Sequence, residues 1–576
     1  MSKTYCNPLN LSYRYQHVDT AGKRSIYREG ADPTLIHFKG KYYMFVSMSA
    51  GLWWSDDLAQ WQYHQNKDLL IHDYAPDVRQ IGDYLYFCAS KRNENCPILR
   101  TQDPLSDQFE VVSSTFEFWD PHIFCDDDGR VYFYWGCSNR DPLYGVELDP
   151  QTMTPLTEKR PLFIAQPDLH GFERLGENNV PKPRMGLITP GISSSPYTEG
   201  PFLNKHQGRY YLQYAVPGTE YNSYADGVIV SENPLGPFEF PDHNPFSSKP
   251  GGFISAAGHG STIQDKHGNW WHASTMRISV NHMFERRVGL FPAGFDEDGI
   301  LYCNQNFADY PLSIPDGKFD PRKIEPQWML LSYKKPAKAS SSQPGHPPEL
   351  AVNEDIRAWW SAAKNQAGEY LQLDLGDSYT VHAIQINLAD DSLDLPERSE
   401  QEMGGPPFMR RYIETNKMVT RYLVEGSLDG NQWFILTDKR SAESDLPHDF
   451  FVYNEGKEVR YIKVTGSETP YEQNFRVSGL RVFGKGKGEK PTATNTQAKR
   501  TGDLNALIQW QPAEGAQGYN IRYGIHPDKL YLSWQVYEQT HLDLPTLNKG
   551  ITYYVCVDSF NENGITKGKT IEIEGM

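Results

Sequence analysis

A glycine in a tight turn, followed by a strand of alternating aromatic residues, occurs five times in the first half of this chain. The segments are GKYYMFVSM from Gly40, GDYLYFCAS from Gly82, GRVYFYWG from Gly129, GRYYLQYA from Gly208 and GNWWHAST from Gly268. Each predicts a hairpin, with the glycine in the turn and successive side chains on opposite faces of the strand. A polar turn followed by an aromatic residue comes after three of them: SDDLAQW at 55–61, TQDPLSDQF at 101–109 and SENPLGPF at 231–238. Repeats of this size, each holding several short strands, are what blades of a β-propeller look like, so five repeats predict five blades over residues 1–320.

Composition agrees with a β-rich chain. Aromatic residues make up 13%, with 35 Tyr, 27 Phe and 13 Trp beside 47 Gly and 40 Pro, and helical periodicity is weak throughout. The 576 residues suggest about four domains, or three if one is large. A net charge of −17 argues against nucleic acid or an anionic membrane as partner, because both demand basic patches. No apolar run approaches the roughly 20 residues that would insert into a bilayer. The seven cysteines (6, 88, 96, 125, 137, 303, 556) are odd in number and include no CxxC pair, so buried free thiols are expected.

Composition shifts after Asp320. Residues 335–349, KPAKASSSQPGHPPE, read as a linker-like stretch, and strands and turns then alternate to about residue 484. The GKGKGEKP run reads as a flexible basic connector, because no strand–turn–helix surrounds it to make a phosphate loop. The last stretch has the size and alternation of a small β-sandwich. The expected fold class is all-β: a five-bladed β-propeller (1–320), then two β-sandwiches (321–487 and 488–576).

The chain has no GxSxG, HExxH, GxxxxGK(S/T) or dinucleotide fingerprint, which lowers the odds of a serine hydrolase, zincin, kinase or dehydrogenase. The repeats instead supply an ionisable residue at a recurring place. Asp32 lies eight residues before Gly40, Asp120 nine before Gly129, Glu199 nine before Gly208 and His259 nine before Gly268. Equivalent positions in successive blades ring a propeller's axis, so three carboxylates and a histidine should meet at one mouth. Paired carboxylates, one protonated and one ionised, cleave glycosidic bonds, and crowding them splits their proton affinities.

ADPTLIHFKGKYYMF, YAPDV, WDPHIFCDDDGRVYFYWG, TEGPFLNKHQGRYYLQYA and GHGSTIQDKHGNWWHAS together resemble the five blade motifs of glycoside hydrolase family 43 over about residues 5–315. The resemblance implies inversion, with Asp32 as general base, Glu199 as general acid and Asp120 tuning and orienting that acid. It implies that His259 is the axial histidine, touching substrate or, through water, a structural Ca²⁺; no cofactor is required. Family members carry Trp in the second motif, where this chain has Tyr74. Trp54, Tyr74 and Trp119 are candidate sugar-stacking residues, with Trp53 as a further aromatic. Arg286 matches the family's substrate-binding arginine, and Arg287 is its register alternative. Asp77 is expected to shape the second blade, and Asp126, Asp127 and Asp128 to form a hairpin turn.

Residues ~334–487, with an insertion at about 394–416, resemble a discoidin (coagulation factor type C) sandwich of the kind found in carbohydrate-binding modules of family 32, with Trp360 in its core. The last part, with Trp510 and Tyr519, resembles a fibronectin type III domain with Tyr553 at the corner-tyrosine position.

These resemblances imply an exo-acting glycosidase that removes α-L-arabinofuranose or β-D-xylose from plant polysaccharide or oligosaccharide. The alternatives are a β-galactosidase or exo-galactanase, a non-catalytic glycan-binding propeller, and a phosphorylase on a related propeller. The oligomeric state is not readable. The N-terminus MSKTYCNPLNLSYRYQ carries no apolar leader, while the accessory modules suit a secreted or periplasmic enzyme; a cytoplasmic location stays open.

Overall fold

The five repeat glycines all adopt the left-handed region, with φ from 59° to 85°. A Cβ would meet no close atom at any of them, so it is backbone conformation that calls for glycine there. The computed structural model describes residues 3–574 except 21, 70–73, 92, 93, 115, 182–194, 392, 394–397, 400, 401 and 405–408. Among the described residues there is no α-helix, only short 3₁₀ turns, and the chain is all-β. No helix among the described residues is long and apolar enough to cross a membrane.

Each repeat hairpin opens an antiparallel unit. The first is Thr34–Phe38, Lys41–Phe45, Gly51–Ser55 and Gln62–Gln65; the second is Tyr74–Ile81, Tyr84–Ser90, Ile98–Thr101 and Glu110–Ser113. The third is His122–Cys125, Val131–Trp135, Leu143–Leu148 and Arg160–Phe163. The fourth is Thr198–His206, Arg209–Val216 and Ala225–Ser231, extended by the bridge Val230↔Glu239. The fifth is Ser255–Gln264, Trp270–Arg277, Arg286–Phe295 and Leu301–Cys303. The first strand of each unit packs on the first strand of the next, and that of the fifth returns to that of the first, closing a ring.

The ring is held by apolar clusters between neighbouring units. Phe45 meets Phe87 between the first and second, Cys88 and Phe133 share the cluster between the second and third, and Tyr134 and Tyr214 share that between the third and fourth. Val228 and Phe291 share the cluster between the fourth and fifth, and Trp53 and Trp271 that between the first and fifth. Each sheet is thus covered on both faces, which explains strands that are aromatic on both sides of the alternation. All seven cysteines are free.

Beyond the ring, a large sheet runs through Tyr370–Leu388, Arg421–Ser427, His448–Glu468 and Arg476–Lys485, around a core that includes fully buried Trp360. The stretch at 335–349 is part of this sheet rather than a linker: Ala337–Ala339 pairs with residues 371–373. The C-terminal part packs a three-stranded sheet on a five-stranded one around Trp510 and Tyr519, and the Tyr553 hydroxyl accepts from Asn548 N–H at 3.2 Å. The glycine-rich connector is pinned, not flexible. Gly486 N–H donates to Glu562 O at 3.1 Å and Gly488 N–H to Asn563 Oδ1 at 2.8 Å.

One strand departs from the expected domain division. Met409–Ile413, inside the insertion at 394–416, pairs antiparallel with Arg14–Thr20, which also pairs with Lys23–Glu29. Residues 394–397, 400, 401 and 405–408 of that insertion lie outside the described residues. The second domain therefore adds a strand to the N-terminal hairpin that leads into the ring.

Candidate active site

At the entry to each first strand, one residue turns left-handed: Asp32 (φ 51°), Ala75 (51°), Asp120 (49°), Gly200 (58°) and His259 (50°). Such a turn costs roughly 1–2 kcal/mol in a non-glycine residue, so its recurrence needs a compensating hold. That hold comes from the neighbouring unit. Asp32 N–H donates to Thr275 Oγ1 (2.8 Å), Ala75 N–H to Ser47 Oγ (2.7 Å), Asp120 N–H to Ser90 Oγ (2.9 Å) and His259 N–H to Asp226 Oδ1 (2.6 Å). In the fourth unit the left-handed residue is Gly200, and Glu199 stands one residue earlier, next to a register shift between Glu199 and Phe202. A Cβ on Gly200 would lie 2.7 Å from the His259 ring, so this glycine also makes room for the histidine.

The ring brings the predicted acids together. His259 Nδ1 lies 3.4 Å from Asp32 Oδ1 and 3.8 Å from Asp120 Oδ2. Asp120, Cys137 and Glu199 present atoms within 4.8 Å of one another. Cys137 Sγ donates to Glu199 Oε2 at 3.1 Å, and the Tyr224 hydroxyl donates to Glu199 Oε1.

Their environments push the acids apart. Burial disfavours the charge of Asp32, but Arg286, His259 and the hydroxyls of Ser47 and Thr275 outweigh it and hold Asp32 below its ordinary value. Burial, helped by the charges of Glu199 and Asp32, raises Asp120 to about 7 in spite of His259. Burial would lower His259, yet Asp32, Asp120 and Glu199 prevail and raise it. An ionised carboxylate, a carboxyl that titrates near neutrality and a histidine inclined to carry charge thus share one buried mouth.

The two arginines separate as alternation on a strand requires. Arg286 faces the site, with Nη1 3.1 Å from Asp32 Oδ1 and Nη2 2.7 Å from Glu29 Oε1. Arg287 points the opposite way: its Nε donates to His448 Nε2 of the second domain at 2.7 Å and its Nη1 to Arg28 O at 2.7 Å. The expectation that Arg287 could bind substrate is corrected accordingly.

Of the aromatic candidates, Tyr74 lies in the site, with the Arg286 guanidinium 5.9 Å from its ring centre and the Phe284 ring 5.5 Å away. Trp119 is half-buried beside Asp120, and its carbonyl accepts from Gly136 N–H. Trp54 is corrected: it packs at the cluster between the first and second units with Lys41 Nζ 4.1 Å from its ring centre, and no contact with the acids exists among the described residues. Trp53 is fully buried core. Asp77 accepts from Ile123 N–H and contacts His122, which ties the second unit to the third. Asp126 ends a hairpin and pairs with Lys205 and Tyr210.

The residues around His259 do not fit calcium. The imidazole Nδ1 faces two carboxylates, and the group able to ligate a metal nearby includes the Cys137 thiol, a soft donor poorly matched to a hard cation.

Sequence reasoning missed Ser47, Ser90, Cys137 and Thr275, although each stands seven or eight residues after its turn glycine, a periodicity as regular as that of the acids. It also missed Glu29, Tyr224 and Asp226, which carry no such signal.

Residues 26–301 match the family model "Glycosyl hydrolases family 43", and residues 336–399 match "F5/8 type C domain". "Xylosidase/arabinosidase" of Butyrivibrio fibrisolvens is 25% identical over 206 residues, covering 34% of this chain and 36% of that protein. "Xylosidase/arabinosidase 43B" of Humicola insolens is 31% identical over 239 residues, covering 38% and 39%. The chain spans less than half the length of these curated relatives. The solved structure "Bacteroides ovatus Xyloglucan PUL GH43B" is 14% identical, with a TM-score of 0.40 over 99% of this chain and 98% of that one.

Proposed function

We propose that this protein is an inverting exo-glycosidase that removes terminal α-L-arabinofuranosyl or β-D-xylosyl residues from plant-type polysaccharide or oligosaccharide. A five-bladed propeller at 1–320 carries the site, and the domains at 321–487 and 488–576 are accessory. One observation carries the reading: around a single histidine, Asp32 is held as an anion by Arg286 while Asp120, beside Glu199, is raised to about 7. The match of residues 26–301 to the family model supports a carbohydrate substrate, and the names of the relatives favour pentosyl groups.

In the proposed reaction Glu199 protonates the leaving oxygen as the glycosidic bond breaks. Asp32 accepts a proton from the water that attacks the anomeric carbon from the opposite face. Inversion calls for a gap of about 6.5–9.5 Å between the two carboxylates. Asp32 and Glu199 are held by separate partners, Ser47, Thr275 and Arg286 for one and Cys137 and Tyr224 for the other. Asp120, close to Glu199, orients that acid. Arg286 serves both to keep Asp32 ionised and to offer donors to sugar hydroxyls. No step runs through a metal. A secreted or periplasmic setting suits such a substrate.

The test is hydrolysis of 4-nitrophenyl α-L-arabinofuranoside, β-D-xyloside and β-D-galactoside. Turnover of a pentoside, lost in Asp32→Ala, supports the reading. Turnover of the galactoside alone would transfer the site to a β-galactosidase, and failure on all three together with failure on branched arabinoxylan would overturn it.

A further inference from the structure

We infer that Arg411, on the strand that the second domain adds to the N-terminal hairpin, is a positioning residue of the hydrolytic site, so that this domain completes the sugar pocket instead of acting only as a separate binding module. The inference rests on the proposed glycosidase reading.

The guanidinium of Arg411 is buried and makes one contact in the N-terminal hairpin and one in the ring. Its Nη1 donates to Glu29 Oε2 at 2.7 Å, and its Nη2 donates to the Tyr74 hydroxyl. Its centre also lies 4.8 Å from the middle of the Tyr74 ring and 5.7 Å from that of Phe284. The backbone is fixed as well: Val18 pairs with Arg411 across the shared sheet, and Arg411 N–H donates to Gly404 O at 2.7 Å.

Glu29 is the junction. Its Oε1 accepts from Arg286 and its Oε2 from Arg411, while Arg286 reaches on to Asp32 at 3.1 Å. Arg411, Glu29, Arg286 and Asp32 therefore form a buried set of alternating charge, with His259 and Asp120 facing its Asp32 end and Tyr27, Tyr74 and His282 facing Arg411. Without Arg411, the set holds an excess negative charge in a place where water cannot offset it, and Arg286 is drawn toward Glu29 at the expense of Asp32. Asp32 then becomes harder to ionise, which weakens the base.

Tyr74 fits the same account. Its hydroxyl is the acceptor that Arg411 meets, and an indole at this position would offer none. Both guanidiniums lie against this aromatic residue, Arg411 at 4.8 Å and Arg286 at 5.9 Å from its ring centre.

The experiment measures kcat, KM and the pH profile of full-length wild type, Arg411→Ala, Arg411→Lys and Tyr74→Phe on the glycoside that wild type cleaves best. Melting temperatures identify any variant that fails to fold, and calorimetric titration with D-xylose, L-arabinose and D-galactose provides a readout besides turnover. Arg411→Ala is expected to lose about 10–100-fold in kcat/KM and to move the acid limb upward by about one pH unit, with partial rescue by Lys. Tyr74→Phe should raise KM several-fold and leave the acid limb in place. Should folded Arg411→Ala match wild type in kcat/KM and pH profile, this inference alone is overturned. A fall in activity that tracks melting temperature, with no pH shift and no rescue by Lys, would reduce Arg411 to a structural role and also overturn it. Should wild type neither cleave a glycoside nor bind a sugar, the glycosidase reading falls and takes this inference with it.

Discussion

Cys137 Sγ stands 3.1 Å from Glu199 Oε2, at the place in its repeat where the first, second and fifth units carry Ser47, Ser90 and Thr275. Those three hydroxyls accept the N–H of the left-handed residue of the next unit, whereas the thiol of Cys137 donates to a proposed catalytic carboxyl. Cys137→Ser, which keeps a donor, is expected to retain activity within about threefold, and Cys137→Ala to lose about three- to tenfold, since a thiol is a weak donor and an ordinary single hydrogen bond is worth about 0.5–1.5 kcal/mol. Burial and the nearby carboxylates push the thiol well above its ordinary value, so alkylation by iodoacetamide should be slow at neutrality and accelerate with rising pH. Rates of inactivation with and without bound sugar check this; rapid alkylation at pH 6 would contradict it.

Asp120 gives the pH dependence a definite sign. Its folded value is raised from 3.8 to about 7, so between those values the folded protein keeps a proton that the unfolded chain has released. The residue's contribution to stability is complete below pH 3.8 and is lost as pH rises through about 7. Asp120→Asn should flatten this part of the melting-temperature profile and remove an ionisation near 7 from kcat/KM. Thermal unfolding and initial rates from pH 4 to 9 measure both; an unchanged profile in the variant would count against the assignment.

Arg286 and Arg287 are neighbours with opposite duties. Arg286→Lys keeps a charge but cannot span Asp32 and Glu29 together, and should lose about 10²-fold or more in kcat/KM, including under conditions where the variant is fully folded. Arg287→Met removes the buried contacts to His448 and Arg28 O and should lower stability by about 2–4 kcal/mol, acting on activity only through folding. Denaturant melts beside kinetics separate the two.

Gly200→Ala combines two penalties, a left-handed backbone at φ 58° and a Cβ 2.7 Å from the His259 ring. A loss of at least about 1–2 kcal/mol from the backbone alone is expected, together with reduced activity as the histidine is displaced. Wild-type stability in this variant would contradict the close approach.

The ring was readable because its signal is written in repeats. Five turn glycines and five aromatic strands mark units that cannot bury both faces alone, and Asp32, Asp120 and His259 occupy the same left-handed entry in three of them. Glu199 stands nine residues before its glycine, as Asp120 and His259 do, although the left-handed kink falls one place later, at Gly200. Period-two alternation gave the choice between Arg286 and Arg287 but not its answer, since the sequence does not say which face of that strand meets the axis. Trp54 could not be placed for a different reason: aromatic residues fill the space between units as readily as they line a sugar site. Arg411 left no trace at all. Its contact with Glu29 spans 382 positions and depends on a strand pairing between two domains, which no local pattern announces.

The division of labour between Asp32 and Glu199 is tested most directly by leaving-group dependence. The measurement is kcat/KM of wild type, Asp32→Asn and Glu199→Gln on aryl pentosides running from 2,4-dinitrophenyl to phenyl. A general acid matters only where the leaving oxygen needs a proton, so Glu199→Gln should stay within about tenfold of wild type on the dinitrophenyl glycoside and fall about 10²–10⁴-fold on the phenyl one. Asp32→Asn should fall by a similar large factor on every member of the series. Equal losses for both variants across the series, or the reverse pattern, would contradict the assignment of Glu199 as acid and Asp32 as base.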